Sequence, residues 1–153
     1  MKLLVLGYSK AGKSTAAAIL AEVLNTKYLN TSDQLVKELA IELGVSEEHI
    51  LVNKDQYRMQ LFKLGRARQE TDPLWPQTIQ LQEADILTGL RSPDEVVAAR
   101  ENNLYDSIIW VSRDGYVAND TDRLTPEHAD VEINNDGDIA DLKVKLLVLL
   151  GQL

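Results

Sequence analysis

A chain of 153 residues, 44% apolar and 26% charged, is long enough to bury one substantial core, and its lack of cysteine excludes a disulfide scaffold or a thiolate metal site. A net charge of −8 argues against broad electrostatic attraction to nucleic acid, and no run approaches the roughly 20 apolar residues of a membrane span. Gly7 cuts the first apolar run too short for a secretory leader, so the expected setting is the cytoplasm.

KLLVLG (2–7) predicts a buried strand ending at a glycine, and the alanine-rich stretch 12–25 a helix after it. KYLN (27–30) reads as a second short strand. A helix capped by Thr31 or Ser32 then runs to about Leu43, with Leu35, Leu39 and Leu43 on one face and Gly44 ending it. After a connector at 45–54 with room for one helical turn, Tyr57, Leu61 and Leu64 recur at helical spacing, and Gly65 is expected to loosen that helix. Turn chemistry at Asp72-Pro73 precedes a helix after Pro76. DILTGL (85–90) predicts a third strand and 92–103 its following helix, with Ser92 as cap, Pro93 at the first position and Glu95 placed to close a capping box. SIIWVS (107–112) is strongly β-prone, 113–130 is polar and turn-rich, VEIN (131–134) reads as a last strand, and 139–150 as a closing helix.

Strands alternating with helices predict a single α/β domain over 1–153, a parallel sheet with helices on both faces and right-handed crossovers. Ligands of such sheets sit outside the carboxyl ends of the strands. Gly7, Thr31-Ser32-Asp33, Arg91 and Arg113 all follow predicted strands at that edge and are expected to converge.

GYSKAGKS (7–14) fits G-x-x-x-x-G-K-[ST] with the required strand before it and helix after it, which predicts a three-layer P-loop NTPase fold. In such a loop the glycines let backbone N–H groups turn inward around phosphate oxygens, and the next helix presents its positive end. Gly7, Lys10, Ala11, Gly12, Lys13, Ser14 and Thr15 are the predicted triphosphate-binding residues. Lys13 would neutralise the β- and γ-phosphates and Ser14 would ligate Mg²⁺, with Thr15 a further phosphate contact. Lys10 either lies near the phosphates or points to solvent. The bland alternative is a plain glycine turn before an alanine-rich helix.

A phosphoryl-transfer site with an anionic acceptor needs cations at both ends of the transferred group. Basic residues gather at 54–68 (Lys54, Arg58, Lys63, Arg66, Arg68), whereas 114–153 is acidic. Arg91, Arg58, Arg66 and Arg68 are therefore candidates for gripping an acceptor phosphate, and Arg113 and Arg123 for a small lid at about 113–130 that excludes water. A structural salt bridge for Arg91 and a solvated face for the others are the competing readings. Trp75 either lines an acceptor base pocket or packs in the core.

The segments GYSKAGKST, NTSD, KDQYRMQLFKLGRARQETDPLW, ILTGLRSPDEV and EINNDGDIADL resemble the bacteriophage-type deoxynucleoside monophosphate kinases, part of the nucleoside-monophosphate-kinase group of P-loop proteins, over nearly the whole chain. That resemblance implies transfer of the γ-phosphoryl of ATP to a (deoxy)nucleoside monophosphate with Mg²⁺ as cofactor. It implies Lys13, Arg91 and Arg113 as the catalytic set, with Arg113 also at the ATP as a lid arginine. It implies acceptor contacts from Ser32, Asp33, Arg58, Arg66, Arg68, Trp75 and Arg91, most of them in a helical segment at about 32–84. INNDG (133–137), with Asn135, would lie near the adenine. Small-molecule nucleotides are then the partners, without nucleic acid or membrane, a homodimer stays open, and a viral member would work in the host cytoplasm.

One departure stands out. Related sequences often carry D-V-R where this chain has Gly89-Leu90-Arg91, so a strand-end carboxylate that would help hold Mg²⁺ is absent. Asp33 is the expected replacement, since Asp85 begins its strand and belongs to the far edge. A kinase for another small phosphorylated metabolite, such as dephospho-coenzyme A or phosphomevalonate, and a nucleotide-binding regulatory module without turnover remain the alternatives.

Overall fold

The apolar runs assemble into a single sheet in the computed structural model, which describes residues 1–118 and 122–153. In chain order the elements are β1 (Leu3–Leu6), α1 (Lys13–Val23), β2 (Tyr28–Asn30), α2 (Thr31–Leu43), α3 (Glu47–Val52), α4 (Lys54–Thr71), α5 (Gln77–Gln80), β3 (Ile86–Thr88), α6 (Pro93–Glu101), β4 (Ser107–Ser112), β5 (Val131–Asn134) and α7 (Ile139–Gln152). The strands lie in the order β2-β3-β1-β4-β5, and every pairing is parallel. No helix among the described residues is long and apolar enough to cross a membrane.

Central strands of a parallel sheet are covered on both faces, which is why β1 and β4 read as unbroken apolar runs. Leu3, Val5, Ile86, Ile109 and Val111 point to one face, where Ala16, Ala17 and Leu20 of α1 and Leu142, Leu146 and Leu149 of α7 cover them. Leu4, Leu6, Leu87, Ile108 and Trp110 point to the other, against Leu81, Leu90, Val96 and Leu124. A third cluster, of Val36, Leu39, Ala40, Ile50 and Leu61, joins α2, α3 and α4 into a helical arm. Leu43, expected on the packed face of α2, is instead 40% exposed.

Three local expectations are corrected. The helix expected to loosen at Gly65 continues to Thr71, because Gly65 is buried where α4 passes close to α2. A Cβ there would stand 3.3 Å from Leu35 Cδ2, so packing outweighs the roughly 1 kcal/mol that glycine costs a helix. The cap of α2 is Asn30, not Thr31 or Ser32: its Oδ1 accepts from the Ser32 N–H at 2.9 Å and from the Ser32 hydroxyl at 2.8 Å. The capping box of α6 is half made. Pro93 opens the helix and the Glu95 carboxyl accepts from the Ser92 N–H, while the Ser92 hydroxyl makes no cap bond.

Asn30 also explains Gly89. The glycine sits at φ +95, and a Cβ on it would collide with Asn30 Oδ1 and lie 3.0 Å from Thr31 Oγ1. Position 89 therefore has neither the backbone conformation nor the room for a side chain. Its left-handed turn sends Leu90 into the core and leaves Arg91 at the carboxyl edge of the sheet.

A buried polar seam ties α5 to its neighbours. The fully buried Gln77 donates from Nε2 to the Glu95 carbonyl at 3.2 Å and accepts from the Tyr105 hydroxyl at 2.7 Å. Gln80 donates to the Asn30 carbonyl at 2.9 Å. The Glu95 carboxyl accepts from the Gln69 side chain of α4, yet burial dominates and pushes its pKa up to about 7. Burial first, and then the Glu95 charge, push the Tyr105 hydroxyl up as well.

Two predictions follow from these packings. Gly89→Ala should destabilise the protein by about 1–3 kcal/mol in denaturant unfolding, and Gly89→Asp, which puts a carboxylate at the end of β3, by at least as much. Folding raises the Glu95 pKa from 4.5 to about 7, so the folded state holds a proton that the unfolded chain releases first. Stability should thus fall as pH rises from about 4.5 through about 7, by at most about 3 kcal/mol. Glu95→Gln should flatten that slope in thermal melts at pH 5 and pH 8; an unchanged slope would assign it to another group.

Candidate active site

The loop between β1 and α1 is held from outside. A Cβ on Gly7 would stand 2.5 Å from the Val111 carbonyl, and one on Gly12, at φ +104, would collide with the Asn135 side-chain amide. That amide is buried and donates from Nδ2 to the Ala11 carbonyl at 2.9 Å, while the Asn135 N–H donates to the Ser112 carbonyl at 2.6 Å. Asn135, expected at the adenine, is thereby placed as the peg that shapes the loop. Gly12 caps α1 without a side chain, and the helix has no acid in its first turn. Its positive end is left to a ligand.

In front of this loop lies a small cleft lined by Gly7, Tyr8, Ser9, Lys13, Leu90, Arg91, Trp110, Asp122, Arg123 and Leu124. Its volume is about 70 Å³, and it opens to solvent beside the glycine loop. Tyr8 stands edge-on to Trp110, with ring centroids 4.9 Å apart at 84°, and forms the apolar wall. Burial and the nearby Arg91 guanidinium hold the Lys13 pKa below its ordinary value, and the Asp122 carboxylate pulls the other way. Like charges crowded at a half-buried point favour an anion between them.

The predicted site residues divide in two. Gly7, Lys13 and Arg91 meet in the cleft; Ala11 is buried in the loop, Lys10 is exposed, and Ser14 and Thr15 lie exposed on the first turn of α1. Ser32 is engaged with Asn30, and Asp33 is exposed in the first turn of α2. The arginines of α4 are engaged elsewhere. Arg58 pairs with Asp55 at 2.7 Å on a solvent face, with side chains 79% and 93% exposed. Arg66 lies 5.8 Å from the Phe62 ring centre. Arg68 meets Glu38 at 3.2 Å beside a separate groove between α2 and α4. Trp75 is buried, 5% exposed. Arg113 stacks 5.7 Å from the Tyr116 ring centre and does not line the cleft, where Arg123 stands instead.

The expected lid at 113–130 contains Asn119–Thr121, which lie outside the described residues. Asp122 is a cleft residue that the sequence reading missed. The available signal was Leu124, an apolar residue in a polar stretch, whose burial in the core draws Asp122 and Arg123 over the loop.

The residues fit a Mg²⁺ ion carried by a triphosphate. Among the described residues no three His, Cys, Asp or Glu side chains gather into a metal cage, whereas an exposed hydroxyl, Ser14, stands at the loop's end, and Mg²⁺ favours oxygen donors completed by phosphates and water. The buried Thr88 hydroxyl, at the end of β3, lacks a hydrogen-bond partner.

No protein-family model and no curated protein sequence matches the chain. Solved structures do. Shikimate kinase from Acinetobacter baumannii, in complex with shikimate, is similar with a TM-score of 0.58 and 15% identity, covering 99% of this chain and 93% of that one. Dephospho-CoA kinase from Campylobacter jejuni gives 0.55 and 15% over 99% and 97%. A gluconokinase from Sinorhizobium meliloti gives 0.51 and 12% over 99% and 91%. At these identities the likeness is one of fold. The chain has the three-layer P-loop kinase fold, a five-stranded parallel sheet between helices.

Proposed function

We propose that the protein is an ATP-dependent phosphotransferase for a small anionic acceptor, and that the acceptor is a (deoxy)nucleoside monophosphate. The convergence of Lys13, Arg91 and Arg123 on one cleft beside the glycine loop carries this reading. The acceptor class rests on the resemblance to the bacteriophage-type kinases.

Phosphoryl transfer asks a protein mainly for positioning and for charge to meet the charge that develops. The loop N–H groups and the α1 terminus hold the donor phosphates, and Lys13 reaches their outer oxygens. Ser14 would hold a Mg²⁺ ion together with the donor phosphates, and the ion would supply positive charge to offset that of the triphosphate. Arg91 offers a planar fork to the acceptor's anionic group from the opposite side. Arg123 closes over the transferred group with Asp122 beside it, which limits the access of water. A phosphate acceptor needs no general base, in keeping with a cleft richer in cations than in carboxylates.

An ADP-release assay with Mg·ATP across the common NMPs and dNMPs tests the proposal. Lys13→Ala should lower kcat by at least about 100-fold, and Arg123→Ala should lower kcat more than it raises KM. Arg91→Ala should raise the acceptor's KM, lower kcat, or both. Arg58→Ala, on the solvent face, should change neither. No nucleotide-dependent ADP above the Lys13→Ala background would end the monophosphate assignment. Adding shikimate, gluconate and dephospho-CoA to the panel then asks whether the fold's other acceptors apply, since the Arg91 fork receives a carboxylate as readily as a phosphate.

A further inference from the structure

Thr88 ends β3 in register with Val5 of β1, and Val5 faces α1. Parallel neighbours in register point to the same side, so the Thr88 side chain lies on the α1 face, at the edge where that helix begins. Ile86, two residues earlier on the same face, packs against α1. Thr88 is 2% exposed and its hydroxyl has no hydrogen-bond partner. A buried hydroxyl without a partner is costly, and valine would fill the same space and suit a strand better. Thr88 therefore calls for a reason other than packing.

The next residue narrows that reason. Gly89 cannot carry a side chain, because Asn30 and Thr31 fill its Cβ space and its φ is left-handed. A side chain offered to the ion from the end of β3 must then come from position 88 rather than 89. We propose that the Thr88 hydroxyl takes the place of the absent strand-end carboxylate, accepting a hydrogen bond from the hydration water of the Mg²⁺ that accompanies ATP. Asp33, the replacement expected from the sequence, is exposed on the first turn of α2 and is the competing candidate that the test must separate from Thr88. The inference rests on the reading of the loop as a Mg·ATP site. It assigns Thr88 a positioning role, since it acts on the ion through water.

Calorimetric titration of ATP into the full chain, once with Mg²⁺ and once with EDTA, tests this without turnover. The wild type should bind ATP more tightly with Mg²⁺. Thr88→Val should lose about tenfold of that gain, leave the EDTA affinity unchanged, and melt no lower than wild type when ligand-free. Thr88→Ser should retain the gain. Should Thr88→Val fold poorly, Thr88→Ala compared with Thr88→Ser reads the same difference. A Thr88→Val protein that keeps the full Mg²⁺ gain overturns the inference, as does a gain lost only on Asp33→Asn. A wild type whose ATP affinity ignores Mg²⁺, or that binds no ATP, overturns the functional reading and this inference with it.

Discussion

The course of the glycine-rich loop, within which Tyr8 and Ala11 pack inward, depends on a clamp that reaches in from the end of the last strand. Asn135 hangs from the Ser112 carbonyl at the end of β4 by its N–H and reaches across to the Ala11 carbonyl with its amide. The Val111 carbonyl presses on Gly7 from the same side. β5 is short and lies at the sheet's edge, and it contributes little core beyond Ile133. Its position matters to the loop, because it carries Asn135 into the clamp that shapes it. Preorganised donors need no reorientation at the moment of reaction.

The same economy governs charge. The chain carries −8 overall, yet Lys13, Arg91 and Arg123 share one cleft with Asp122. Burial first and then the nearby Arg91 lower the Lys13 pKa, and an anion placed between the two cations would relieve their repulsion. In the densest basic run of the sequence, on α4, two of the arginines are paired instead: Arg58 lies against Asp55 and Arg68 against Glu38 of α2. Exposed pairs of this kind contribute little stability, about 0–1 kcal/mol, but they do remove those arginines from competition for a ligand. Density along the chain misled where convergence in space decides.

This contrast marks what could be read from residues alone. Strands buried on both faces must be continuous apolar runs, so β1, β3 and β4 were legible almost to their ends, and the loop motif placed Lys13 unaided. Features set by contact between distant segments were not. Nothing local in α4 says that Gly65 lies against Leu35, so the residue reads as a breaker. Asn30 closes a strand and caps a helix at once, a double duty visible only when β2 and β3 are side by side. Asp122 and Arg123 reach the cleft because Leu124 is anchored in a core assembled from β1, β3, β4 and α6.

Gly89 shows why such long-range contacts bear on chemistry. Read in sequence it is a loss, a carboxylate deleted from a metal site. In the fold it is one side of an exchange. Asn30 Oδ1 and a side chain at 89 would occupy the same space, so the chain holds either the cap of α2 or the strand-end carboxylate. Keeping the cap fixes where the α2–α4 arm leaves the sheet, and through Gln80 and the Asn30 carbonyl it fixes α5 as well. The left-handed turn at 89 then puts Leu90 into the core and Arg91 into the cleft facing Lys13. The arm and the arginine are thus set by one backbone conformation, and a carboxylate placed at position 89 would displace both.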